Sequence, residues 1–168
     1  MTHIKARGLL LDIEGTTSSI DFIYGKMFPF VREGLETFLT TNWDVTEVRK
    51  ACDQIRRDRV ADLGEAAGVM SDRLDGILAE VTRLMDGDAK TTGLKQLQGL
   101  IWRQGFESGE LKAHLFDDVS PALRQWHEQG LRIRIYSSGS VGAQKLFFGH
   151  TVSGNLLPFL EGHYDTKT

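Results

Sequence analysis

Two short segments of the chain carry residue types that could do chemistry together. The first is Asp12-Ile-Glu-Gly-Thr-Thr17, which follows the apolar run Leu9-Leu10-Leu11. Asp12 and Glu14 are two residues apart, so in an ideally continued strand they point to the same side. Paired carboxylates can bind a hard cation such as magnesium through oxygen. One can attack phosphorus while the other moves the proton. Gly15 lets the backbone turn sharply, and Thr16 adds a hydroxyl and an amide. The plainer alternative is a solvated turn after a core strand. The second segment is Ser137-Ser-Gly-Ser140, between a strand pattern and a helix pattern. Hydroxyls and amides at a helix N-terminus make a phosphate site. The plainer alternative here is an N-cap, with Ser138 or Ser140 capping the helix and no ligand involved. Found together at the carboxyl ends of two strands of one parallel sheet, where such folds bind ligands, the segments point to phosphoryl transfer.

Periodicity gives the secondary structure around these segments. Ala6 to Ile13 reads as a strand buried on both faces, bracketed by Gly8 and Gly15. From about Phe22 to Lys112 the pattern is helical. Phe28, Val31, Leu35, Phe38 and Leu39 make one apolar face, and Val45, Val48, Cys52 and Ile55 make the next. Ser71 is placed as N-cap of a helix whose face is Leu74, Ile77, Leu78, Val81 and Leu84. Leu94, Leu97, Leu100 and Ile101 define another helix. Ser120-Pro121 opens a helix with proline at its first position, with Leu123 and Trp126 inward and Gly130 closing it. Leu131 to Tyr136 alternates as a strand, Val141 to Phe148 is helical, Asn155 to Leu160 is a short helix, and His163-Tyr-Asp165 opens a third strand. The order gives an α/β fold: a parallel sheet core over 1–20 and 113–168, interrupted by an all-helical insertion over 21–112.

The composition narrows the class. With 40% hydrophobic and 26% charged residues and a net charge of −3, the chain lacks the basic footprint of a nucleic-acid or anionic-membrane binder. A single cysteine, Cys52, leaves no disulfide framework or zinc cluster, and a reducing cytoplasm is expected. Its place on an apolar helix face suits a buried thiol. His3, His114, His127, His150 and His163 show no metal-ligand spacing, and structural roles are expected for His150 and His163. Trp102 and Phe106 are read as helical core, Lys145 as exposed, and Arg56-Arg-Asp-Arg59 as a solvated mixed-charge face.

The first segment resembles the opening motif of the haloacid dehalogenase superfamily, Asp-x-Asp-Gly-Thr, with Glu14 in place of the second aspartate. Ile135-Tyr-Ser-Ser-Gly-Ser140 resembles the second motif. Several longer strings are similar to the enolase-phosphatases of methionine salvage: Leu11 to Thr17, Ile135 to Val141, Ala143 to Leu146, Phe148 to His150, Gly162 to Lys167, and Trp102 to Lys112. The resemblance implies a Rossmann-like core with a helical cap. It implies a magnesium-dependent phosphoric monoester hydrolase of the acireductone synthase type, acting on 2,3-diketo-5-methylthiopentyl-1-phosphate by enolisation and then dephosphorylation. Asp12 would be the nucleophile and Glu14 the acid and base. Ser137 and the Ser138 amide would hold the phosphoryl group. Magnesium would sit on the Asp12 carboxylate and the Glu14 backbone carbonyl. The enzyme would be a cytoplasmic monomer with a small-molecule substrate, binding neither nucleic acid nor membrane.

The superfamily's later motifs, a phosphate-neutralising lysine and an acidic pair, have no counterpart up to Thr168; Lys167 lies just short of the lysine's place. The expectation from sequence is therefore a truncated core, with the first strand left as an apolar edge, weak magnesium binding and little activity in the 168 residues alone. Two other readings stay open: another capped phosphatase or phosphomutase of the superfamily, and a catalytically impaired fragment serving as a binding module.

Overall fold

The computed structural model describes residues 6–64, 70–71 and 73–166. His3 and Lys167 lie outside them. The elements are β1 (Gly8–Leu11), α1 (Ile20–Phe22), a π-helical turn (Ile23–Met27), α2 (Phe28–Asn42), α3 (Thr46–Leu63), α4 (Leu74–Asp86), α5 (Thr92–Ser108), α6 (Val119–Glu128), β2 (Arg132–Tyr136), α7 (Val141–Gly149), a 3-10 turn (Leu157–Phe159) and β3 (Gly162–Tyr164). They fall into two compact units, one of residues 1–28 with 103–168 and one of residues 29–102. The divisions lie at the start of α2 and inside α5, whereas the sequence pattern suggested 20/21 and 112/113.

The first unit holds a parallel three-stranded sheet in the order β1-β2-β3. Leu9 pairs with Ile133 and Leu11 with Ile135, and on the other side Ile135 pairs with His163. Alternation decides which way β2 faces: Ile133 and Ile135 are fully buried while Arg132 and Tyr136 are exposed. Burying each isoleucine stabilises the fold by about 1.5–3 kcal/mol. Gly8 is required by strand approach, since a Cβ there would lie 2.8 Å from the Arg132 carbonyl oxygen. The strand expected over 6–13 is shorter and is not buried on both faces. Leu10 is 63% exposed, because no described element covers that side of the sheet. It shares that side with exposed Tyr136 and Tyr164.

The regular elements among the second unit's described residues are all helices. Val31, Leu35, Phe38, Leu39, Val48, Cys52, Ile55, Ile77, Val81, Leu84, Leu94, Leu97 and Ile101 are buried, as the 3.6-residue spacing requires. Burial pushes the Cys52 thiol up from its ordinary value, which makes it a poor nucleophile. The Arg56–Arg59 cluster departs from the expected solvated face. Arg59 pairs with Glu80, which is only 3% exposed, and Asp58 Oδ2 accepts the Gly93 amide at 2.6 Å. Half of that cluster therefore ties α3 to α4 and to the first turn of α5.

Two helix starts also differ. Arg73, not Ser71, is the N-cap of α4, and it makes no side-chain cap; the Ser71 hydroxyl accepts the Arg73 amide instead. In α6 the first helical residue is Val119, so Pro121 stands third. This position is still in the first turn, where no intrahelical acceptor awaits the missing N–H.

Candidate functional site

β1 ends at Leu11, so Asp12 is the first residue beyond the strand, and its side chain is exposed. A tight turn, not a continued strand, carries the motif. The Ile13 carbonyl accepts three amides, from Thr16 (3.2 Å), Thr17 (3.1 Å) and Ser18 (3.0 Å). Gly15 donates to the Ser18 carbonyl (2.8 Å) from a left-handed conformation with φ +74°, which is why a glycine stands there. Ile13 is 5% exposed and anchors the turn, while Asp12 is exposed and Glu14 half-buried, so the in–out alternation survives the end of the strand. The Ile13 amide donates to Asp12 Oδ1 at 2.7 Å, orienting the carboxylate.

The turn is braced from outside. The Thr17 hydroxyl donates to the Asp12 carbonyl (3.1 Å), and the Phe116 amide donates to the Thr17 carbonyl (3.1 Å). His114 Nδ1 accepts the Ser19 amide (3.3 Å) and lies 3.4 Å from the Ser18 hydroxyl. Its ring stacks on Phe22, with centroids 6.2 Å apart.

At the end of β2, Ser137 is 2% exposed. Its amide donates to the Tyr164 carbonyl (3.3 Å), and its hydroxyl donates to Glu14 Oε2 (3.1 Å) while accepting the Gly139 amide (3.1 Å). This hydroxyl bridges the two strand ends that the sequence singled out. Ser138 is exposed in the same turn. Ser140 is an N-cap, accepting the Ala143 amide at 3.3 Å, so the plainer alternative holds for that serine. The Val141 amide donates to Asp165 Oδ2 at 3.2 Å. Part of the α7 N-terminus is thus satisfied by the protein itself.

The structure brings Glu14 and Ser137 into contact and leaves Asp12 and Ser138 exposed on the adjoining turns. Sequence reading missed the residues that hold these turns: Thr17, His114, Gln144 and Asp165. Each acts through a long-range or local bond to backbone, which leaves no periodic signal; the nearest hint was that Gln144 sits in the string Ala143 to Leu146.

Among the described residues no group of three or more His, Cys, Asp and Glu side chains converges as a metal site. The donors near the turn are the carboxylates of Asp12 and Glu14 and backbone carbonyls. This hard-oxygen set fits magnesium, which keeps several waters and takes one or two protein carboxylates beside substrate phosphate. It does not fit a zinc site built from imidazole and thiolate. Among the described residues no helix is long and apolar enough to cross a membrane.

No family model matches the chain. Curated relatives do. The chain is 46% identical over 162 residues to "Enolase-phosphatase E1" of Drosophila willistoni, covering 94% of this chain and 66% of the relative. It is 46% identical to the protein of that name from Synechococcus elongatus, covering 95% of this chain and 68% of the relative. For Thioalkalivibrio sulfidiphilus the figures are 45% identity, 95% and 67%. The chain thus spans about two-thirds of the length of these relatives, and slightly less for the Drosophila willistoni protein. The crystal structure of the UTR4 protein from Saccharomyces cerevisiae matches with a TM-score of 0.77 and 30% identity, over 98% of this chain and 69% of that one. The turn that presents Asp12 and Glu14 belongs to a chain so similar to these proteins that its family is plain: it is a member of the enolase-phosphatase family.

Proposed function

We propose that the protein is a bifunctional enolase-phosphatase that enolises 2,3-diketo-5-methylthiopentyl-1-phosphate and then hydrolyses its phosphate ester. The observation that carries this reading is the Ser137–Glu14 hydrogen bond, which joins the acid–base candidate to the turn proposed to bind phosphate. Family membership supports the same reading.

In the proposed reaction an Asp12 carboxylate oxygen attacks phosphorus, and the bond from phosphorus to the substrate oxygen breaks. Glu14 gives its proton to that leaving oxygen. Glu14 then takes a proton from a water that attacks the aspartyl-phosphate. Phosphate leaves and the Asp12 carboxylate is regenerated. The Ile13 amide holds one Asp12 oxygen, which leaves the other for attack. The Ser137 hydroxyl, now given to Glu14, would turn to a phosphoryl oxygen on substrate binding, with the Ser138 amide beside it. Magnesium, held by the Asp12 carboxylate and the Glu14 backbone carbonyl, would offset repulsion between phosphate and carboxylate. The helical unit is read as the cap that the resemblance implies. Monomeric state and cytoplasmic residence complete the reading; the lone buried cysteine accords with a reducing compartment.

A substrate panel tests the proposal. Phosphate release from the diketone phosphate, with the absorbance of the enol rising first, is the expected outcome. Preference for sugar phosphates or phosphoglycolate would instead indicate another capped phosphatase of the superfamily.

A further inference from the structure

Gln144 lies in the first turn of α7 and is 1% exposed. Its carboxamide nitrogen donates to two backbone carbonyls, Gly139 at 2.9 Å and Tyr164 at 2.8 Å. Both partners are acceptors, so the amide can face them only with its nitrogen. Its Oε1 is buried with no hydrogen-bond partner among the described residues. A buried acceptor without a partner is unfavourable, so the orientation is kept for what the nitrogen holds.

What it holds is the turn between β2 and α7. The Tyr164 carbonyl accepts both Gln144 Nε2 and the Ser137 amide. Gly139, whose carbonyl is the other partner, donates its amide to the Ser137 hydroxyl. One buried side chain therefore fixes Gly139 against the end of β3, and through Gly139 fixes the hydroxyl that bridges to Glu14. Asp165 adds a second tie from the same end of β3, through the Val141 amide. A chain of serine and glycine has little rigidity of its own, so the spacing of its donors depends on these ties.

We infer that Gln144 is a positioning residue for phosphate binding: it sets the Ser137–Ser140 turn in the geometry that receives a tetrahedral oxyanion and keeps Ser137 in register with Glu14. This rests on the proposed phosphate-binding role of that turn.

The test uses inorganic phosphate in magnesium-containing buffer, with affinity measured by calorimetry and folding by thermal unfolding. Gln144→Met keeps the volume and removes the donor. The expected result is phosphate affinity weakened on the order of tenfold to a hundredfold, the loss that follows when a supporting contact around a binding site is removed, with unfolding still cooperative. The same variant should raise KM for the phosphate ester in step with the lost phosphate affinity and also lower kcat, since the turn that binds phosphate is the one that keeps Ser137 in register with Glu14. Unchanged affinity and kcat in a folded Gln144→Met would overturn the inference while leaving the phosphatase reading intact. Absence of phosphate binding by the wild-type protein would instead sink the phosphate-binding reading of the turn, and this inference with it. Should the variant not fold, the native protein answers. The Gln144 carboxamide protons should exchange slowly with solvent and shift in the NMR spectrum on phosphate titration; fast exchange or no shift overturns the inference.

Discussion

Glu80 and Glu14 are the same side chain in two settings. Glu80, in the helical unit, is 3% exposed and meets two guanidinium groups: Arg59, and Arg83 through bonds of 2.7 and 3.0 Å. Burial opposes its charge, but the hydrogen bonds from Arg83 and Arg59 prevail and hold its carboxyl below the ordinary range. Glu14, in the sheet unit, is half-buried, and the Ser137 hydroxyl donates to it. A carboxylate whose acceptor sites are filled by two arginines is committed to holding structure. Glu14 meets a neutral hydroxyl at the strand end instead of a fixed cation. The proposed reaction asks Glu14 to move a proton, a task with no counterpart at Glu80.

Substitutions at the two glutamates and at Asp12 separate these roles. The largest effect is expected at Asp12: Asp12→Asn should lower phosphate release on the order of 10⁵- to 10⁶-fold, as loss of a covalent nucleophile does, with thermal unfolding unchanged. Glu14→Gln should follow, lowering kcat by roughly 10²- to 10⁴-fold, the usual worth of an acid–base group, and flattening the pH–rate profile. Glu80→Ala should act on the other side of the comparison. It removes the buried partner of two arginines that are themselves partly exposed, so it should destabilise folding by about 1–3 kcal/mol in urea unfolding.

Glu80 also sets a pH dependence. Its folded value lies below the ordinary 4.5, so its contribution is present above that value and is lost as pH falls through the folded one. The smallest effect is expected at His163. Burial, aided by Lys145, holds its ring below the ordinary 6.5, so the native state binds the proton less readily than the unfolded chain. Stability from the neutral ring is present above 6.5 and is lost as pH falls below it. Urea titrations should show a shallower acid-side decline for His163→Gln than for wild type.

The sequence was most readable where a periodic pattern met a single packed face. The helices of the 29–102 unit and β2 fall where their apolar spacing puts them, because burial alone decides such segments. It was less readable where one atom makes the difference. Ser71 has the chemistry of an N-cap, yet Arg73 occupies that position. Arg59 sits among charges that look solvated, yet its partner Glu80 lies 21 residues away in sequence and is invisible to local pattern. At the site, the type and spacing of Asp12, Glu14, Ser137 and Ser138 were legible, and so was the sharp turn at Gly15. The bracing by Thr17, His114 and Gln144 was not, because hydrogen bonds to backbone depend on which loops meet in space. The first strand was legible as an apolar edge, and β1 does lie at the edge of the described sheet; the burial expected on both its faces was not met at Leu10, since an apolar run reads the same whether one face or both are covered.

In the proposed reaction Asp12 carries the phosphoryl group. This role is tested most directly by acid-quenching the protein with the diketone phosphate in a single turnover and mapping its peptides by mass spectrometry. The expected result is one added phosphoryl group on the peptide containing Asp12, absent from Asp12→Asn. Phosphate release with no label, a label on another residue, or turnover persisting in Asp12→Asn would contradict it.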